Sequence, residues 1–189
     1  MEPDELSEAL DAARQGDELG VVRLYRAFNP QLLRYLGHHA PDVAEDLASE
    51  VWLAAAKGLS TFKGEPADFR SFLFSVARRR VADHYRSRAR RPRQAPFDEI
   101  SRGGLRGDVG PKDIGDEVVG DLSAQEAIAA LTNALSADQA EVVLLRVVAE
   151  LSVEEVAKIM GRSPGSIRVL QHRALQRLGK LWDKKSVTL

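Results

Sequence analysis

The chain has 189 residues, enough for one ordinary domain or two small helical ones, and its formal net charge of -1 leaves no overall surplus of lysine and arginine to hold phosphates. The absence of cysteine excludes disulfides, thiolate zinc sites and cysteine nucleophiles. The amino end is acidic and no apolar run approaches the roughly 18 residues that span a bilayer, so a cytoplasmic protein with no membrane insertion is expected.

Apolar residues recur at helical spacing throughout, and no stretch alternates with period two, so every element is predicted as helix. In chain order the first half reads as helices near Glu5 to Gln15, Asp17 to Phe28, Pro30 to His39, Asp42 to Leu59 and Ala67 to Arg91. The breaks fall at Gly16, Asn29-Pro30, Ala40-Pro41 and Gly64-Glu65-Pro66. The segment from Ala44 to Leu53 is amphipathic, with Glu45, Asp46 and Glu50 on one side and Leu47, Val51 and Trp52 on the other. Those carboxylates have no nearby histidine, cysteine or glycine-rich phosphate loop, so no catalytic site is expected.

From Phe69 to Arg93 the average charge is misleading. Phe69, Phe72, Leu73, Val76 and Ala77 hold an apolar stripe, while Arg78, Arg79, Arg80, Arg86, Arg88, Arg90, Arg91 and Arg93 accumulate around it with Asp83 the lone acid beyond Arg70. Arginines in such number can neutralise several phosphates. Among them lie His84 and Tyr85, aromatic faces of the kind that hold single-stranded bases beside a basic groove; a core or boundary role for Tyr85 is an equal alternative.

From Pro92 to Asp121 prolines and glycines leave no room for a helix, and the acidic residues Asp108, Asp113, Asp116, Glu117 and Asp121 predict an extended linker. Four short helices follow. Ser136-Ala137-Asp138-Gln139 and Ser152-Val153-Glu154-Glu155 both fit capping boxes, Gly161 stops a helix, and Ser163-Pro164 opens the next. A helix from Val153 to Met160, a turn at Gly161-Arg162 and a longer helix from Pro164 to about Trp182 make a helix-turn-helix. In the last helix Ile167, Leu170, Ala174, Leu178 and Leu181 form the inward face against Val156 and Ile159. Its other faces suit a DNA major groove: Ser166, Arg168, Val169 and His172 for base edges, and Arg173, Arg177 and Lys180 for phosphates. His38, His39, His84 and His172 are adjacent or far apart, without carboxylates at ligand spacing, so no metal and no cofactor is expected.

Ala44-Glu45-Asp46-Leu47, Glu50-Val51-Trp52, Phe69-Arg70-Ser71-Phe72-Leu73, Val76-Ala77-Arg78 and Asp83 resemble region 2 of extracytoplasmic-function sigma factors of the sigma-70 superfamily. Leu151-Ser152, Glu154-Glu155-Val156-Ala157, Gly165-Ser166-Ile167 and His172-Arg173-Ala174 are similar to their region 4. The resemblance implies an all-α fold of two small helical domains, region 2 over 1–91 and region 4 over 122–189, joined by a flexible linker over 92–121. It implies a non-enzymatic factor that carries core RNA polymerase to promoters and opens them. Its polymerase partners would be the clamp of the largest subunit, met by Asp46, Leu47 and Glu50, and the flap of the second-largest subunit.

The remaining implied roles concern DNA. Arg78, Arg79, Arg80, Asp83, Tyr85 and Arg86 would read the opened minus-10 element, with a flipped base entering the loop from Thr61 to Asp68. Ser163, Ser166, Arg168, Val169, His172, Arg173 and Arg177 would read the minus-35 duplex, and an anti-sigma factor is the expected inhibitor. The chain departs from the family pattern at Ser49, Arg79 and the Arg168-to-Gln171 series. Two readings stand beside this one: a helix-turn-helix activator that binds only duplex DNA, its first half a sensor or dimerisation domain, and a pure protein-interaction module.

Overall fold

The computed structural model describes the backbone of residues 3–90, 128 and 132–186. The linker expected over 92–121, most of the first helix expected after it, and the side chains of Arg90, Arg91, Arg93, Leu181 and Trp182 lie outside the described residues.

The first half is a bundle of four helices: α1 (Pro3–Arg14), α2 (Glu18–His39), α3 (Ala44–Leu59) and α4 (Pro66–Arg90), with a 3-10 turn at Pro41–Val43 leading into α3. Sequence reasoning placed a break at Asn29-Pro30, and the structure corrects it, because α2 runs straight through with Pro30 inside it. A proline within a helix forfeits one hydrogen bond and costs about 3 kcal/mol. Here one buried stripe continues on both sides, through Leu24 and Phe28 before the proline and Leu32, Tyr35 and Leu36 after it. Each such side chain contributes about 1.5–3 kcal/mol on burial, so packing outweighs the local breaker. Asn29 is held as well, since its Oδ1 accepts a 3.0 Å hydrogen bond from Trp52 Nε1 inside the bundle.

Gly20 lets α1 lie directly on α2. A Cβ at this position would stand 2.5 Å from the Ala13 nitrogen and 2.7 Å from the Ala9 carbonyl oxygen, so no larger residue fits without moving the helix. Phe69 of α4 sits fully buried at the bundle centre, with Phe28, Phe62 and Trp52 at ring separations of 5.9, 5.6 and 6.4 Å.

In the second half both expected capping boxes are present: Ser136 opens α5 (Ala137–Val143) and Ser152 opens α6 (Val153–Met160). A five-residue π-helical segment, Leu144–Val148, continues from α5. Gly161 terminates α6 with φ 64°, a left-handed conformation that costs glycine little. After it Ser163 Oγ accepts from the Ser166 N–H at 3.2 Å, starting α7 (Pro164–Ser186). Ile167 and Ala174 are fully buried on the inner side of α7, as their spacing predicts.

The halves touch. Buried residues of α5, the π segment, α6 and α7 join those of α1 to α4 in one apolar cluster, with α2 packed against the π segment and α4 against α6.

Candidate nucleic-acid interface

On α3 the first turn presents Asp46, and Glu50 follows one turn later; both are exposed. Leu47 is 6% exposed and packs inward, which corrects the expectation that it meets a partner directly: it seats the helix that carries the two acids. The exposed apolar residue on this surface is Leu53, 64% exposed, at the edge of a groove of about 550 Å³ between α2 and α3 that Tyr25, Leu33 and Trp52 also line. Leu53 escaped the sequence reading because the apolar stripe absorbs any leucine at helical spacing until burial separates the faces.

The arginines of α4 do not stand alike. Arg79 is exposed, and Arg80 lies 3.6 Å from Glu50, joining the basic surface of α4 to the acidic one of α3. Arg86 pairs with Asp83 one turn before it. Tyr85 is 50% exposed while its hydroxyl donates to the His39 carbonyl, so the ring is anchored at one end with a face still open. Before α4, the loop expected to take a flipped base is held from α1. Arg14 donates to the Gly64 carbonyl and its guanidinium lies 5.6 Å from the centre of the Phe62 ring, while Asp68 Oδ2 accepts from the Glu65 N–H at 2.9 Å.

Arg78 faces the other way. Its Nε is 3.2 Å from Glu141 Oε1, and its Nη1 donates to the Ile159 carbonyl at 3.3 Å, both in the second half of the chain. Glu141 is only 8% exposed, and it also accepts from Tyr35 Oη at 2.9 Å and sits 2.9 Å from His39 Nε2. Burial by itself would raise the Glu141 carboxyl; the His39 imidazole, the Tyr35 hydroxyl and the Arg78 guanidinium outweigh it and hold the group below its ordinary value. Sequence reasoning missed this cluster. Tyr35 and Glu141 are 106 positions apart, and no local pattern announces such a meeting.

On α7, Arg168, Val169, His172, Arg173 and Arg177 are all exposed, and Ser166 is half-buried beside its cap residue Ser163. Arg168 is not idle, since its Nη2 donates to Glu154 Oε1 of α6 at 2.8 Å. On the inner flank Arg146 of the π segment donates to Gln171 Oε1 at 3.3 Å and to the Leu151 carbonyl, tying α7 to the scaffold beneath it. Among the described residues no group of histidines and carboxylates is arranged to hold a metal, and no helix is long and apolar enough to cross a membrane.

An exposed arginine helix in one half and an exposed, capped helix-turn-helix in the other match two family models: sigma-70 region 2 over residues 24–91 and sigma-70, region 4 over residues 125–178. The curated sigma factor SigD of Mycobacterium tuberculosis is 33% identical over 184 residues, which cover 94% of this chain and 84% of SigD. The chain belongs to the ECF RNA polymerase sigma factors. ShbA of Streptomyces griseus is 36% identical to this sigma factor over 183 residues, 91% of this chain and 92% of ShbA. BldN of Streptomyces coelicolor is 32% identical over 178 residues, and the match spans 65% of BldN's length. CnrH, solved in complex with the cytosolic domain of CnrY, shares the fold with a TM-score of 0.65 at 19% identity, covering 96% of this chain and 99% of CnrH. So does RpoE of Bartonella quintana, solved with the anti-sigma factor NepR, at a TM-score of 0.56 and 23% identity, covering 84% of this chain and 94% of RpoE.

Proposed function

We propose that this sigma factor binds core RNA polymerase, directs it to specific promoters and promotes their opening without catalysis of its own, in the cytoplasm and under the control of an anti-sigma factor. The observation that carries the reading is one chain presenting both an arginine-lined helix beside a loop and a recognition helix on a glycine turn, in the order of regions 2 and 4.

Asp46 and Glu50, with Leu53 in place of the buried Leu47, form the surface for the clamp of the polymerase's largest subunit, and the second half meets the flap of the second-largest subunit. Arg79, Arg80 and Arg86 with the open face of Tyr85 hold the separated minus-10 strand, where stacking and phosphate contacts offset the loss of base pairing. On α7, Arg168, Val169 and His172 meet base edges of the minus-35 duplex while Arg173 and Arg177 meet its phosphates. The inhibitor follows from family membership, and the partners seen on CnrH and RpoE give the kind of protein to look for.

Run-off transcription with core polymerase and a promoter library tests the reading. Defined start sites that depend on this protein are expected; Arg168→Ala should weaken minus-35 use about 5- to 150-fold, the value of one good base contact, with core-polymerase affinity unchanged. A protein that neither joins the core enzyme nor supports any start site is not a sigma factor of this kind.

A further inference from the structure

The loop between α3 and α4 is gripped from α1. Arg14 donates from one guanidinium nitrogen to the Gly64 carbonyl and from another to Asp11 Oδ1 at 2.7 Å, and the guanidinium lies 5.6 Å from the centre of the Phe62 ring. Phe69 and Phe72 of α4 meet the same ring at 5.6 and 5.7 Å. The Phe62 N–H donates to the Leu59 carbonyl at 3.1 Å and the Glu65 N–H to Asp68 Oδ2 at 2.9 Å, so the loop is tied at both ends as well. Phe62 and Gly64 are half-buried by these contacts, and the residues that alternate with them, Thr61 and Lys63, stand exposed. An arginine is not what stability alone would place at position 14, since its Nε is buried without a partner among the described residues, and an unpaired buried donor is unfavourable. Along α4, Asp68, Phe72, Ser75, Arg79, Asp83 and Arg86 recur at three- and four-residue steps and share one face that runs back to the loop. From Pro66 to Arg79 the helix rises about 20 Å at about 1.5 Å per residue, the length of about six nucleotides at about 3.4 Å each.

We propose that Arg14 is a positioning residue for promoter opening: it presets the loop over 61–65, so that Lys63 meets the separated minus-10 strand at the amino-terminal end of the α4 face that carries Arg79 and Arg86. This deepens the sigma-factor reading above and rests on it for the strand, but the hold on the loop is a property of the free chain. A loop that its ligand must order gives up part of the binding free energy to that ordering, and a loop already ordered does not. The difference matters most for a separated strand, because a base drawn out of the duplex loses stacking and pairing and has to be held elsewhere. Arg14 touches no nucleotide; it acts through the Gly64 carbonyl and the Phe62 ring. Lys63, exposed between them, supplies the charge that meets a phosphate.

In the full free chain, amide hydrogen exchange at Phe62 and Glu65 should speed up about tenfold in Arg14→Ala at unchanged helical circular dichroism, and Arg14→Lys, which can still donate to the Gly64 carbonyl, should restore most of the protection. With core RNA polymerase added, Arg14→Ala should bind a single-stranded oligonucleotide of the minus-10 sequence, taken from a promoter mapped by run-off transcription, about tenfold more weakly than the wild type does. Its affinities for core polymerase and for the minus-35 duplex should not change. Lys63→Ala should also weaken the strand and lower the salt slope by about one, and adding it to Arg14→Ala should cost little more, because both act through one loop. If Arg14→Ala loses its helical signal, Arg14→Met, which keeps a long apolar side chain and removes the donors, carries the same measurements. Unchanged exchange, wild-type strand affinity in a folded variant, or losses that add in full overturn the proposal. A wild type that does not join core polymerase defeats the sigma-factor reading instead, while the exchange rates still decide whether Arg14 holds the loop.

Discussion

Arg168 and Glu154 make one ion pair at 2.8 Å, with both side chains more than half exposed. Exposed pairs contribute only about 0–1 kcal/mol to stability, so Glu154 adds little to the fold, and under the proposed minus-35 role of Arg168 it competes with DNA for the arginine. Glu154→Gln is expected to leave the unfolding midpoint nearly unchanged while raising affinity for a minus-35 duplex. A titration at fixed salt checks it, and weaker binding by the variant would show that the acid orients Arg168 more than it detains it. Asn29 and Trp52, each 9% exposed, are the opposite case. Asn29→Ala strands the indole N–H in the bundle, and an unsatisfied buried donor costs about 1–3 kcal/mol. Urea unfolding should show that loss, and a change below about 0.5 kcal/mol would mean that water reaches the indole.

Among the elements, α1 is held to the bundle by close backbone approach at Gly20, by buried Ala9, Leu10 and Ala13, and by Arg14 reaching across to the loop before α4. Gly20→Ala should therefore push α1 away, at the roughly 1–3 kcal/mol typical of an overpacked site, and loosen the Phe62-Gly64 loop with it. Limited proteolysis should find new cleavage near Gly16 and in that loop, and unchanged protection would mean that α1 shifts without letting go. The recognition unit is built differently. Two capping boxes, a left-handed glycine and a Ser163 cap fix where its helices begin and end by local bonds alone.

At the scale of the molecule, three titratable groups at the junction between the halves predict a stability that varies with pH on both sides of neutrality. His38, beside His39 and near Glu141 and Thr132, is held below its ordinary 6.5, first by burial and then by its histidine neighbour. Glu141 is held below its ordinary 4.5. A group whose folded value is depressed contributes stability above its unfolded value and loses it as pH falls, so both groups weaken the junction in acid, His38 first. Tyr35 is raised well above its ordinary 10.0, first by burial and then by the Glu141 charge, so its contribution is present below that value and lost in alkali. A stability plateau between about 6.5 and 10 is expected, with Glu141→Gln flattening the part of the acid slope below 4.5. Unfolding midpoints across that range test it, and stability that rises on acidification below 6.5 would contradict the assignment.

The sequence by itself determined what local bonds determine: helix at every described element, the two capping boxes, the glycine turn, and the exposed polar face of α7, because caps, periodicity and φ preferences act within a few residues. It also placed the arginines on α4. Only the tertiary structure decided that α2 passes through Pro30, that Leu47 faces inward while Leu53 faces out, and that Arg78 pairs with Glu141 of the second half. Those outcomes depend on burial against segments far away in the chain, where the free energy of packing exceeds any local preference and no spacing rule reports which partner arrives.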